Sequence, residues 1–488
     1  MTETALRGIT WNVVVIGLTR VLSLAGQVVL GWLLIPEQFG VYALAVSLSA
    51  FATILRSGGI QQVAVQRGAD ILDKSPLYYR YALAFNCITA VLLLCIAMPY
   101  FIRRSAIALI LAGMAISIPL ATAGTLYKVH LTVSHRFREI SLITFWSALI
   151  WQTGVVVLAM LGLGAASFAL PPVLQSIYES YAYKKRSRQL GFAIAHGQAE
   201  KKDYLRLLYS TQWIMLSSAM LSLATTGDYF AVGMLTDAAT VGVYFFSFQL
   251  IAAISIPMTS AFESVLPALL TRQAADHDRQ TSAYIRLLRQ VLVVTLPLAL
   301  LVSVSLPLVM RWLWQDRWEA AIVPAQWIAM CIPAWLVVTI VRSVLESKGM
   351  WRLRFAMITF YGIGGISAAA IGTLFHDVRY IAAAVTMFYV LFAIVSLIFL
   401  MPVQVSMRRL AGNLLPPLGL NLLLWLCAGR MTQIVAVGKS NELRYLLVIG
   451  VLTLMLAITN GIFFRNEWRE LLRIPLRRFS RVPVLPPV

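Results

Sequence analysis

Arg20, Arg56 and Lys128 stand inside long apolar stretches of the first half of the chain, and Asp228 and Glu263 do the same in the second half. Placing an Arg, Lys or Asp in the middle of a bilayer costs about 2.5–3.5 kcal/mol on insertion scales, so such residues usually face water and mark a site. Arg20 lies about ten residues into the first apolar stretch, and Arg56 about eleven residues before Arg67, which ends the second. At about 1.5 Å rise per residue both are then about 15 Å deep. Two arginines at one depth on neighbouring helices repel each other unless an anion lies between them. Their planar forks match phosphate oxygens. Ser57-Gly58-Gly59 follows Arg56 and can loosen the helix there, freeing backbone N–H groups. The competing expectation pairs each arginine with a helix-end carbonyl or a nearby carboxylate.

Lys128 lies about 12 Å from the end of its stretch, where it can either reach a phosphate or snorkel to headgroups. Asp228 and Glu263 can carry a coupling proton or Na⁺ with Thr225, Thr226 or Ser264 nearby. They can equally pair with an arginine of the first half as a gate, and Asp228 is near enough to one surface to be simply solvated. Glu179 is expected to be a hydrated acid near a helix end. The four cysteines, Cys87, Cys95, Cys331 and Cys427, fall in apolar segments without metal-binding spacing, so they read as packing residues. No cofactor is expected beyond that coupling Na⁺ or H⁺.

The elements that must position these side chains are membrane helices. Of 488 residues, 60% are hydrophobic and only 12% charged, about half the charge of a soluble domain. Apolar runs predict fourteen spans, over 10–34, 41–66, 79–101, 106–134, 140–162, 165–183, 209–235, 239–270, 284–310, 320–347, 353–375, 379–401, 414–437 and 443–464. The first is too long for a signal-peptide core and is expected to be retained. Pro119, Pro257, Pro297, Pro307 and Pro333 fall within these spans and should kink them.

The net charge of +20 reads as topology, not as nucleic-acid binding. With the N-terminus inside, 29 basic residues fall in cytoplasmic segments and eight on the other side. Basic residues collect in cytoplasmic loops, so both termini are expected there. The tail 465–488 is basic, either solvated or lying on the inner leaflet.

An offset of 202 residues lays Trp11 on Trp213, Gly31 on Gly233, and Gly40-Val41-Tyr42 on Gly242-Val243-Tyr244. A six-helix repeat follows, and an even unit makes the two halves parallel. The expected fold is an all-α polytopic membrane protein. Residues 1–183 form a first lobe, 184–208 a basic cytoplasmic link, 209–401 a second lobe, and 402–464 two further helices.

The segment from Gly31 to Arg67, with Pro36-Glu37-Gln38-Phe39-Gly40-Val41-Tyr42, the glycine pair Gly58-Gly59 and Val65-Gln66-Arg67, resembles the N-terminal signature of bacterial polysaccharide-export flippases. These belong to the multidrug/oligosaccharidyl-lipid/polysaccharide exporter superfamily. The resemblance implies a V-shaped fold with a cationic cavity in the bacterial inner membrane. It also implies a cargo, an undecaprenyl-pyrophosphate-linked oligosaccharide moved outward for O-antigen, capsule or exopolysaccharide assembly. A polysaccharide polymerase and glycosyltransferases of the pathway become candidate partners, beside membrane lipids. Arg20 and Arg56 look similar to the substrate-binding arginines of lipid II flippases in the same superfamily, and helices 13 and 14 to the pair that forms a lipid-tail groove there.

Three rivals differ in chemistry. A lipid II flippase would keep the arginines, but the chain as a whole looks less like that branch. A cation-coupled multidrug exporter would favour acids over arginines at mid-membrane. A membrane glycosyltransferase or polymerase would need a sizeable outer loop with catalytic groups, and the outer connections here are short. The topology is open to test in a background without native cysteines. Gly197→Cys should escape a membrane-impermeant maleimide in intact cells and Ser440→Cys should react; the reverse pattern would overturn the orientation.

Overall fold

A computed structural model of the chain describes residues 3–53, 55–56, 60, 74–103, 105–134, 136–194, 201–272, 277–397, 407–436 and 442–465. The described residues form helices joined by turns, with no strand among them. In lipid the backbone finds no water to bond, so each segment must satisfy its N–H and C=O groups internally. In order the helices are α1 (Glu3–Leu33), α2 (Pro36–Thr53), α3 (Ser75–Ile102), α4 (Ala106–Val133), α5 (Phe137–Met160), α6 (Pro171–Gln189), α7 (Lys201–Leu235) and α8 (Ala238–Arg272). They continue with α9 (His277–Trp314), α10 (Glu319–Ala329), α11 (Cys331–Ser347), α12 (Trp351–Thr373), α13 (Val378–Ser396), α14 (Met407–Ala436) and α15 (Glu442–Phe463). Seven described segments are long and apolar enough to cross a membrane on length and composition. Taking α10 and α11 as one interrupted span, the chain is a fourteen-helix, multi-pass membrane protein.

Three elements depart from the sequence expectation. The expected span over 320–347 breaks at Met330, which leaves Pro333 in the first turn of α11 instead of inside a helix. A proline lacks the N–H and clashes with the carbonyl four residues back, here Ala329, where α10 stops. Helices α6 and α7 overrun the expected spans and take in much of the basic link, because Lys and Arg are good helix formers and need no lipid. Described helix α2 starts early, at Pro36, whose fixed φ suits a first helical position. It ends at Thr53, with Leu55 and Arg56 in a turn. Ser57-Gly58-Gly59 and Val65-Gln66-Arg67 lie outside the described residues.

The polarity of the helices is inverted relative to a soluble bundle. On α3, Val91, Leu94, Met98 and Ile102 form an exposed stripe at helical spacing, while Asn86 and Thr89 are buried. Asn86 Nδ2 donates to Thr122 Oγ1 of α4 at 2.8 Å, the kind of polar tie that joins helices in lipid. Hydroxyls elsewhere bond back to their own helix, as Thr125 does to the Ala121 carbonyl and Thr132 to that of Lys128.

Packing divides the chain into two compact units. The first is Met1–Phe246 with Ile358–His376. In it α1 lies on α5, α3 on α4, α6 on both α4 and α5, and α2 on α3, α4 and α7. Small residues let α4 and α6 approach closely: Gly113 abuts Ala169 at the head of α6, and Gly124 abuts Ser180. The second unit is Ser247–Met357 with Asp377–Val488. Its centre is α9, against which α10, α11, α14 and α15 pack, with Leu300, Val304, Leu424, Leu452 and Leu456 forming one buried cluster. The two trailing helices thus have a defined seat.

Inside the first unit the repeat-related starts of α2 and α8 meet reciprocally. A Cβ on Gly40 would fall onto the Ala238 carbonyl oxygen, and one on Gly242 onto that of Pro36. Pro36 and Ala238 are themselves 202 residues apart, so the contact is self-complementary, as a two-fold relation requires. Only glycine permits this approach. Gly40→Ala and Gly242→Ala should each destabilise the protein by about 1–3 kcal/mol, read as a lower Tm in detergent, because overpacking forces backbone shifts. Gly17→Ala, which meets nothing within 4 Å, should leave Tm in place.

At the head of α8, Asp237 accepts from the Thr240 backbone N–H at 2.8 Å. Hydrogen bonds from the Thr240 side chain and backbone hold this carboxyl below its ordinary range. Its cap should therefore stabilise fully above about pH 4 and weaken as pH falls through the lower folded value. Asp237→Ala should remove about 1 kcal/mol at neutral pH and abolish that acid-side loss in a Tm-against-pH series.

Candidate functional site

The candidate site is built within the first unit. Helices α1 and α2 leave a common turn at Leu34–Ile35 and then part, α1 along α5 and α2 along α3, α4 and α7. Gly26 of α1 sits against the Gln152 side chain of α5. These two helices run in the same direction, so Arg20, six residues before Gly26, comes level with Trp146 and Ser147. Arg20 is half-buried, and Arg56 is exposed at the turn after α2. By helical rise Arg20 lies about 20 Å from the Leu34 end, Arg56 about 30 Å, and Lys128, counted from Ala106 at the same end of the bundle, about 33 Å. The expectation of equal depth for the two arginines is corrected: α2 begins at Pro36, which carries Arg56 further along the axis. Arg20 is thus set off from Arg56 and Lys128, which come at nearly one level.

Among the described residues neither Arg20 nor Arg56 makes an ion pair or a side-chain hydrogen bond. Arg56 feels the charge of Glu179 without touching it. Lys128 is half-buried and its Nζ lies 5.9 Å from the centre of the Tyr183 ring, a cation–π distance.

Glu179, expected to be a hydrated acid near a helix end, is placed differently. It is neither at a helix end nor simply hydrated, because α6 runs ten residues further, to Gln189. Its Oε1 accepts from buried Ser147 Oγ at 2.6 Å and from Gln175 Nε2 at 3.2 Å. One turn on, the Tyr183 hydroxyl lies 3.2 Å from Thr144 Oγ1, so Thr144 and Ser147 of α5 face Tyr183 and Glu179 of α6 as a polar ladder. The signal for it was the spacing Gln175, Glu179, Tyr183 on an otherwise mixed helix: four residues apart means one face. Further along, Ser187 Oγ lies 2.7 Å from His130 Nδ1, and the His130 ring stacks on Phe192 at 4.3 Å. This pins α6 to α4 beyond the ladder.

The second-half acids fall elsewhere. Asp228 lies on α7, seven residues from its end, and is 3% exposed. It is therefore not a solvated surface acid. Its Oδ2 accepts from the Tyr244 hydroxyl at 2.8 Å and its Oδ1 from the Tyr229 backbone N–H at 3.0 Å, and among the described residues it has no arginine partner. Tyr229, Phe245 and Tyr42 pack around this bond edge to face. Glu263 belongs to α8, but its side chain lies outside the described residues.

Helices from different parts of the chain thus bring Arg56, Lys128, Glu179 and Tyr183 to one region, with Arg20 on the adjoining α1. Such an array can hold a multiply charged anion beside hydroxyl and carboxylate groups able to bond sugars.

This arrangement has structural relatives. The lipid II flippase MurJ in an inward closed conformation superposes with a TM-score of 0.61 at 13% identity, covering 94% of this chain and 99% of that one. An inward-facing multidrug resistance MATE family transporter of the MOP superfamily gives 0.58 at 15% identity, over 79% and 94%. A MOP superfamily transporter from Pyrococcus furiosus, described as having a binding pocket of reverse polarity, gives 0.55 at 13%, over 82% and 95%. At such identities the likeness is one of fold, the fold that these transporters share. No curated protein matches the chain. The sequence profile described as polysaccharide biosynthesis protein matches residues 29–323, more than half of the 488. The chain belongs to that polysaccharide biosynthesis family.

Proposed function

We propose that the protein is a flippase that carries an undecaprenyl-pyrophosphate-linked oligosaccharide across the bacterial cytoplasmic membrane for O-antigen, capsule or exopolysaccharide assembly. The observation that carries this reading is the set of cations formed by Arg20 and Lys128 on membrane helices and Arg56 at the turn after α2, with no carboxylate in direct contact among the described residues. A cation held there without a contact partner is costly unless the cargo supplies the counter-charge. A diphosphate does so, and guanidinium forks hold its oxygens in pairs.

In this reading the arginines take the diphosphate from the cytoplasmic side. The sugars occupy the wet space beside the Thr144, Ser147 and Tyr183 hydroxyls, and the prenyl chain stays in lipid. The lobes 1–183 and 209–401, joined through 184–208, rock about each other, and the trailing pair 402–464 sits outside that motion. Membrane potential drives a charged headgroup, or Na⁺ or H⁺ binding at Asp228 or Glu263 supplies the energy. The termini lie in the cytoplasm, the tail 465–488 among them. A polymerase and glycosyltransferases of the same pathway are the natural partners, and the protein performs transport, not group transfer. A drug exporter for cationic cargo is disfavoured by the same arginines.

Arg20→Ala and Arg56→Ala at normal membrane levels should each reduce polymer at the cell surface at least about tenfold, the worth of one or two charge-assisted hydrogen bonds. Lys128→Ala should do less. Full export by both arginine variants would overturn the diphosphate site.

A further inference from the structure

We propose that Glu179 is the resident counter-ion of Arg56, a built-in competitor that the incoming diphosphate must displace electrostatically and that assists its release. This rests on the reading of Arg56 as an anion-binding residue. Three observations carry it.

Glu179 is fixed, not free to swing. Ser147 and Gln175 both donate to Oε1, and Gln175 Nε2 also reaches Ser147 Oγ at 3.3 Å. Two donors on one oxygen fix the orientation of the carboxyl group. Among the described residues its second oxygen makes no hydrogen bond.

Gly124 of α4 abuts Ser180, the residue after Glu179, about 27 Å along α4 from Ala106, and α2, which packs on α4, brings Arg56 to about 30 Å from the same end. At that level the acid's charge acts on Arg56. Tyr183 carries Lys128 above its ring. Glu179 therefore stands among the groups that would line the cargo's path, and α5 and α6 contribute to the site as well as α1 and α2.

Arg56 and Glu179 act on each other without an ion pair. A closed pair would have to be broken before an anion could bind, at the cost of stranding a charge. A carboxylate at a distance neutralises the empty site in part and leaves the guanidinium fork open. It also lowers affinity for every anion that arrives, and a flippase needs such weakening, because cargo held too tightly is not released on the far side.

The test uses full-length protein in detergent and farnesyl pyrophosphate as the probe, with farnesol as a control for the lipid tail alone. Glu179→Gln keeps the side chain's shape and removes its charge. It should tighten farnesyl pyrophosphate binding about tenfold, a usual coupling energy for facing charges, while polymer export in cells falls. Glu179→Asp, which keeps the charge, should bind as the wild type does. Arg56→Ala should weaken binding, and in that background Glu179→Gln should change it little, which a merely structural role for Glu179 would not produce. If the amide variant does not fold, Glu179→Ala carries the same expectation. Binding by Glu179→Gln that equals or falls below wild type, while Arg56→Ala still weakens it, would overturn the counter-ion role alone. Wild-type protein that binds farnesyl pyrophosphate no better than farnesol, or Arg56→Ala that binds like wild type, would overturn the diphosphate reading and this proposal with it.

Discussion

The whole structure follows from one constraint, that a polar group inside a bilayer must find its partner within the protein. Backbone groups meet it by forming helices throughout the described residues. Side-chain hydroxyls meet it by bonding to their own helix, as Thr125 does, or across to a neighbour, as Asn86 does with Thr122. The constraint also explains why apolar stripes such as Val91 to Ile102 face outward. Hydrocarbon is no better a partner for leucine inside the protein than outside it, so what draws the helices together is small residues and polar ties.

A charge is the hardest group to satisfy, and the protein handles its charges in two different ways. Asp228 is closed off, with one oxygen on Tyr244 and the other on its neighbour's backbone. Arg56 is left open, exposed at a turn and influenced from a distance by an acid anchored elsewhere. A closed carboxylate suits a group that titrates or stabilises in place. An open guanidinium suits a group that binds something arriving from outside.

Close approach without side chains is the other device. Gly113 and Gly124 draw α4 and α6 together, which sets the position of Glu179 on α6 relative to Lys128 on α4. Gly40 and Gly242 do the same for the starts of α2 and α8. Because the two glycines, and the carbonyls they meet, are each 202 residues apart, one sequence motif serves as both faces of a single contact.

Much of this protein is readable in its sequence because the bilayer imposes a simple code. Apolar length marks a span, basic charge marks a loop, and identities at a fixed offset mark a repeat, so fourteen helices and the candidate arginines follow from local composition alone. The family signature at Gly31–Arg67 is equally local. What tertiary structure decided was relative depth and partnership. The stagger of Arg20 and Arg56 depends on where α2 begins, and the break at Met330 on how Pro333 meets Ala329. The role of Glu179 depends on Ser147, 32 residues away on another helix. A charge in a membrane takes its meaning from the groups that face it, and no periodicity within one helix records what the neighbouring helix presents.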